Sequence, residues 1–183
     1  MNKAYFHILF ILCLSLILSG CGFHLQGERH LAAPLHRLYL QTPDPYGQLV
    51  QSLQQYLKLS KVQLVSSPQE ATAILAILHD DTSQELLSVS GTQQTRQYTL
   101  KVTVVFEITH STGLTIVKPQ TLSESRTITI QSNQVLGSSN EANLFYQQMR
   151  RMLAYAIINR IASKEITQNI NHEFTTNPDI NNL

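Results

Sequence analysis

The sequence predicts an α/β (α+β) domain: a mixed four- to five-stranded sheet with two helices packed on one face. Three observations carry that expectation. Tyr98, Leu100, Val102, Val104, Phe106 and Ile108 alternate with Thr99, Lys101, Thr103, Val105, Glu107 and Thr109, the period of a strand with one buried face. Residues 46–57 and 144–161 instead repeat their apolar side chains at helical spacing. The first elements run strand, helix, strand with short connections, which requires parallel strands and a right-handed crossover. Each helix has a single apolar stripe, so both should lie on the same sheet face.

The elements follow in order. Leu38 and Leu40 alternate with Arg37, Tyr39 and Gln41, a short first strand. Asp44 suits an N-cap and Pro45 the first helical position, where no amide donor is missed. The helix after them has the stripe Tyr46, Leu49, Val50, Leu53, Tyr56 and Leu57. Val62, Leu64 and Val65 form a second strand, broken by Ser66-Ser67-Pro68. Residues 73–78 are continuously apolar, as in a strand covered on both faces, and Leu86, Leu87 and Val89 extend it or form its end. Asp80-Asp81 reads as a strand-end turn, because neighbouring strand residues point to opposite faces and cannot readily share a site.

Residues 91–94 are a turn before the alternating strand, and His110-Ser111-Thr112-Gly113 turns the chain back after it. The next strand runs over 114–117 and 122–131. Pro119 cannot donate to a ladder, so a bulge or a sheet edge is expected at Lys118-Pro119. Ser138 and Glu141 stand at capping-box spacing and open the second helix. Its stripe is Leu144, Phe145, Met149, Met152, Leu153, Ala156, Ile157 and Ile161. The pattern then fades, and residues 164–183 are expected to be a disordered tail. The second sheet face, rich in Thr, is left without cover from this chain: either a solvated face or a docking face.

Composition narrows the function classes. The chain has 183 residues, 43% hydrophobic and only 14% charged, with Lys plus Arg 13 and Asp plus Glu 12. A net charge of +1 excludes a nucleic-acid partner held by phosphate neutralisation. The two cysteines, Cys13 and Cys21, cannot build a zinc ribbon or a disulfide scaffold. Lys3, the apolar run 8–18 and Leu18-Ser19-Gly20-Cys21 resemble the lipobox of bacterial lipoproteins. That resemblance implies a signal peptide over 1–20, lipidation of Cys21, a lipidated tether over 21–36 and a domain over 37–163. Gly22 in place of Asp favours transfer to the outer membrane within that class. More than one acyl chain makes a stable anchor without a span.

The chain carries none of the common catalytic motifs. No G-x-S-x-G, S-x-x-K, H-E-x-x-H or G-x-G-x-x-G occurs, and none of the seven histidines pairs at i, i+4. No enzyme activity, cofactor or metal is expected. Arg96, Lys101, Lys118 and Arg126 lie on or beside the two long strands, where guanidinium and ammonium groups can meet phosphates or solvent. Arg150, Arg151, Arg160 and Lys164 suit an exposed face of the last helix.

The chain resembles the lipopolysaccharide-assembly lipoprotein family LptE. The likeness rests on Cys21-Gly22-Phe23-His24-Leu25-Gln26-Gly27, Leu38-Tyr39-Leu40, Asp44-Pro45-Tyr46-Gly47 and Val62-Gln63-Leu64-Val65. It continues through Leu87-Ser88-Val89, Gln97-Tyr98-Thr99-Leu100, Pro119-Gln120, Val135-Leu136 and residues 141–149. The resemblance implies an outer-membrane lipoprotein on the periplasmic side, in one-to-one complex with the β-barrel translocon subunit LptD. It implies a plug that sits inside that barrel, helps it assemble and binds lipopolysaccharide. The positions aligned with the family's basic contacts are Gly91 and Ser138, neither charged, which leaves Arg96, Lys101 and Arg126 as the candidate ligand-binding residues. The other reading is a lipid-anchored binding module for another envelope glycolipid.

Overall fold

A computed structural model describes residues 31–91, 95–131 and 135–176. The expected signal segment, Cys21, the expected tether up to residue 30, most of the expected 91–94 turn and residues 132–134 and 177–183 lie outside the described residues. The chain forms one five-stranded sheet, ordered β2-β1-β3-β4-β5. The strands are β1 (Arg37–Gln41), β2 (Gln63–Leu64), β3 (Ala73–Val89), β4 (Thr95–His110) and β5 (Thr115–Gln131). Three α-helices accompany them: α1 (Gln48–Leu59), α2 (Val135–Ile161) and α3 (Lys164–Thr176). β1 pairs in parallel with β2 and β3, whereas β3, β4 and β5 are antiparallel. The mixed sheet and the crossover through α1 are as the sequence predicts.

The core lies between the helices and one face of the sheet. Leu100, Val102, Val104, Phe106 and Ile108 are all 0% exposed, so the alternation in β4 does mark the buried face. Each such side chain contributes about 1.5–3 kcal/mol of burial. Leu38, Leu75 and Ile77 flank them from β1 and β3, with Leu49, Leu53 and Leu57 of α1 and Met149, Leu153, Ile157 and Ile161 of α2 above.

Several expectations are corrected. Asp44 does not cap α1: its Oδ1 accepts the Tyr46 N–H at 3.2 Å, a local turn, and the N-cap is Gly47. Tyr46 therefore falls before the helix and is 86% exposed, outside the stripe. Asp80-Asp81 is not a turn. β3 runs straight through it, after a register shift between Ile77 and His79, because β4 offers a partner along its whole length. At Lys118-Pro119 the expected interruption is a bulge in a continuous edge strand: Phe106 pairs with Gln120 but Ile108 with Val117.

α2 starts at Val135, so Ser138 stands inside the helix rather than at its cap. Its buried stripe is also rotated from the expected one. Leu144 and Met152 are exposed, while Ala154 and Ile158 are buried, because α2 packs against α1 as well as the sheet. Residues 164–176 form α3 where disorder was expected. Ile166 and Ile170 are buried in the common core, and Phe174 packs edge-on against His110 at 5.3 Å. The end of the expected tether is likewise part of the domain: Leu31, Ala32 and Leu35 are buried, around a 3₁₀ turn at Ala33–His36 that touches α3.

Candidate functional site

Two surfaces stand apart from the core. The first is the far end of the β3–β4 hairpin. Leu86, Leu87 and Val89 are 56%, 60% and 45% exposed there. They are held by strand pairing: Val89 faces Arg96, the Ser88 hydroxyl donates to Gln97 Oε1 at 2.9 Å, and the Ser90 N–H donates to the Thr95 carbonyl. Gly91 stands at the turn, where an added Cβ would meet nothing within 4 Å. Arg96 is exposed and stands in register with Val89 on one side and Ile130 on the other. An apolar rim with a guanidinium beside it suits a ligand that carries both acyl chains and anionic groups.

The three candidate cations do not form one cluster. Arg126 is opposite Leu100 in register, on the helix-bearing face, with its guanidinium carbon 4.4 Å from the Phe145 ring centre. Its Nη1 donates to Gln148 Oε1 at 2.9 Å. Arg126 thus fastens α2 to the sheet. Lys101 lies between Ser83 and Ser125 on the opposite face. Arg96 shares the face of Arg126 but stands four residues further along the sheet, about 13 Å away.

Arg150 and Arg160, expected on an exposed helix face, are also fasteners. Arg150 Nε donates to both carboxylate oxygens of Asp80 at 2.9 and 2.8 Å. Arg160 donates to Gln120 Oε1 and pairs with Glu165 at 3.1 Å. Sequence reasoning missed these roles because the spacing within α2 does not reveal which strand lies beneath each turn.

The second surface is the sheet face turned away from the helices. Thr99 pairs with Thr127, Lys101 with Ser125, Thr103 with Ser123 and Thr109 with Thr115, giving rows of hydroxyls across β4 and β5. On β3 the same face presents Asp81, Ser83 and Glu85. All of these side chains are exposed or half-buried. Hydroxyls that are both donors and acceptors can meet another polar wall, and the charged side chains among them are few.

The ionisable groups shifted from their ordinary values support structure. Burial lowers the pKa of His110, whose Nδ1 accepts the Thr112 N–H at 3.2 Å. Burial raises that of Tyr146, opposed by the charge of Arg150, and the Tyr146 hydroxyl donates to the Ser83 carbonyl at 3.1 Å. Among the described residues no group of three His, Cys, Asp or Glu side chains is placed to hold a metal ion.

Known proteins resemble this chain over most of its length. The family model described as LptE, Lipopolysaccharide-assembly, matches residues 35–161. The LPS-assembly lipoprotein LptE of Pectobacterium atrosepticum is 27% identical over 168 residues, 90% of each chain. That of Photorhabdus laumondii is 34% identical over 89 residues, 48% of this chain and 49% of the relative. Among solved structures, a minor lipoprotein of Acinetobacter baumannii superposes with a TM-score of 0.58 at 25% identity, covering 72% of this chain and 93% of the other. A lipoprotein B of Nitrosomonas europaea shares the fold with a TM-score of 0.63 at 18% identity, covering 82% and 96%.

Proposed function

This chain belongs to the LptE, lipopolysaccharide-assembly, family, and from that premise we propose that it is a lipid-anchored plug of the LptD β-barrel at the outer membrane. The plug binds its barrel one-to-one, helps it assemble and takes part in bringing lipopolysaccharide to the cell surface. It works by fit, with no bond made or broken and no cofactor.

The observation that carries this reading is the open hydroxyl face of β3, β4 and β5. A barrel lumen is lined with polar side chains, because barrel strands alternate lipid-facing and lumen-facing residues. A plug for such a lumen needs a broad, sparsely charged, hydrogen-bonding wall backed by a rigid core. This sheet is backed by a core that includes five fully buried β4 side chains. Acylation of Cys21, on the periplasmic side of the membrane, would keep the plug beside its barrel and raise its effective concentration there. The exposed Leu86, Leu87 and Val89 with Arg96 are the contact offered to the lipopolysaccharide itself; Lys101 and Arg126 stand elsewhere on the sheet.

Affinity purification of the tagged chain from detergent-solubilised outer membrane tests the reading. Recovery of a large β-barrel protein in equal amount is expected. Recovery of the chain with no such barrel would contradict it. The hairpin end favours a second reading, a binding module for another envelope glycolipid, and normal surface lipopolysaccharide after depletion of this chain would support that one instead.

A further inference from the structure

The helix layer has an outer face of its own, and part of it is apolar. Met152 and Tyr155 of α2 are exposed, although that helix buries a full stripe against the sheet and α1. Leu59 of α1 is exposed too, and it follows Tyr56 by three residues, on the same side of its helix. The two helices meet through their rings, with Tyr56 edge-on to Tyr155 at 5.8 Å. Met152 precedes Tyr155 by three residues, so Leu59, Tyr56, Tyr155 and Met152 form one band across both helices. Scattered exposed apolar residues are ordinary, whereas a contiguous band marks a contact.

Arg151 borders this band and is exposed; the ion pairs of α2, to Asp80 and Glu165, belong to Arg150 and Arg160. α1 contains no acidic residue, and its one charge is Lys58. The single acidic residue of α2 is Glu141, ten residues from Arg151 and about 15 Å along the helix. The face is therefore electropositive, with no carboxylate of either helix close to the Arg151 guanidinium.

That chemistry selects what can cover it. Tyrosine, methionine and arginine with few lysines or carboxylates are the composition of a protein contact. An anionic membrane surface is held by clusters of about four to eight basic residues, whereas α1 and α2 expose Lys58 and Arg151. A second copy would set two positive faces together across its two-fold axis. The strand walls of a barrel lumen are polar, which suits Arg151 but not Leu59 or Met152. We propose that this band is a second docking surface, taken by an acidic, amphipathic segment of the barrel protein that lies outside its wall strands. Apolar side chains of that segment cover Leu59 and Met152, and a carboxylate bonds the fork of Arg151. Resting on the plug reading, this contact lets one partner hold the chain from both sides of its sheet, in keeping with a one-to-one complex.

The test is a photoreactive side chain at Met152 or at Leu59 of the full chain in the native outer membrane, beside the same probe at Thr103 on the hydroxyl face. Both helix positions should give an adduct with the barrel protein, mapped by mass spectrometry to a segment between its barrel strands that contains Asp or Glu. In the Met152 probe chain, Arg151→Glu should cut the adduct several-fold and Arg151→Lys should retain it. An undiminished Thr103 adduct in the Arg151→Glu chain would show that the variant still folds and docks. Adducts at Thr103 with none at Met152 or Leu59 would overturn the second surface and leave the plug standing; no barrel adduct at any of the three would overturn both. Adducts with lipid or a second copy, mapping to wall strands, or a yield indifferent to Arg151→Glu would each contradict the proposal.

Discussion

Asp80 and Arg150 show how a charged pair can hold a helix to a sheet. The pair is mostly buried, with side chains 18% and 23% exposed, and Arg150 bonds both carboxylate oxygens. Removing Asp80 would leave a partly buried guanidinium without its acceptor. Asp80→Ala should therefore cost about 1–3 kcal/mol, read as a lower urea midpoint at unchanged slope. His110 gives a second prediction. Its Nδ1 accepts an amide N–H, so it must be unprotonated in the fold, and burial lowers its pKa. The neutral ring is favoured by folding, so its stabilising contribution is complete above the ordinary pKa of 6.5 and is lost as pH falls below it. Unfolding measured at pH 8 and pH 5.5 should show that loss, and His110→Asn should flatten it. Of the cations singled out from sequence, only their strand or helix could be read. Which face each occupies depends on register, which no single strand reveals.

Among the elements, β4 was the most legible. It is paired on both sides and buried on one face, so its period of two survives undisturbed. α3 was the least legible. Its helix is carried by three apolar residues, Ile166, Ile170 and Phe174, among Asn, Gln and Thr, and isolated helices of this length are marginal. Its stability comes from docking against β5, His110 and the 3₁₀ turn near Leu35. Ile170→Ala should then cost about 2–5 kcal/mol, as for other fully buried isoleucines, and should raise hydrogen exchange in residues 31–36. Unchanged exchange in that segment would mean that α3 does not hold it. The rotated stripe of α2 has the same origin: contact with α1 adds Ala154 and Ile158 to the buried face, and no periodicity within α2 announces a second neighbour.

On the scale of the whole molecule, the polarity of the two sheet faces organises everything else. One face is closed by α1 and α2 over a continuous apolar core, and the other shows hydroxyls and a few scattered charges. The sequence showed the contrast in the alternation of 98–109, but both a solvated and a docked hydroxyl face are compatible with that alternation. If that face lies against a polar wall, a bulky charge at its centre should disturb docking more than folding. Thr103→Arg, at a half-buried position of the face, should leave the melting temperature within about 2–4 °C while lowering recovery of the barrel. The most direct test is a photoreactive side chain at Thr103 in the native outer membrane. The plug account predicts a covalent adduct between this chain and a large β-barrel protein; irradiation of the folded, membrane-bound chain that yields no barrel adduct would contradict it.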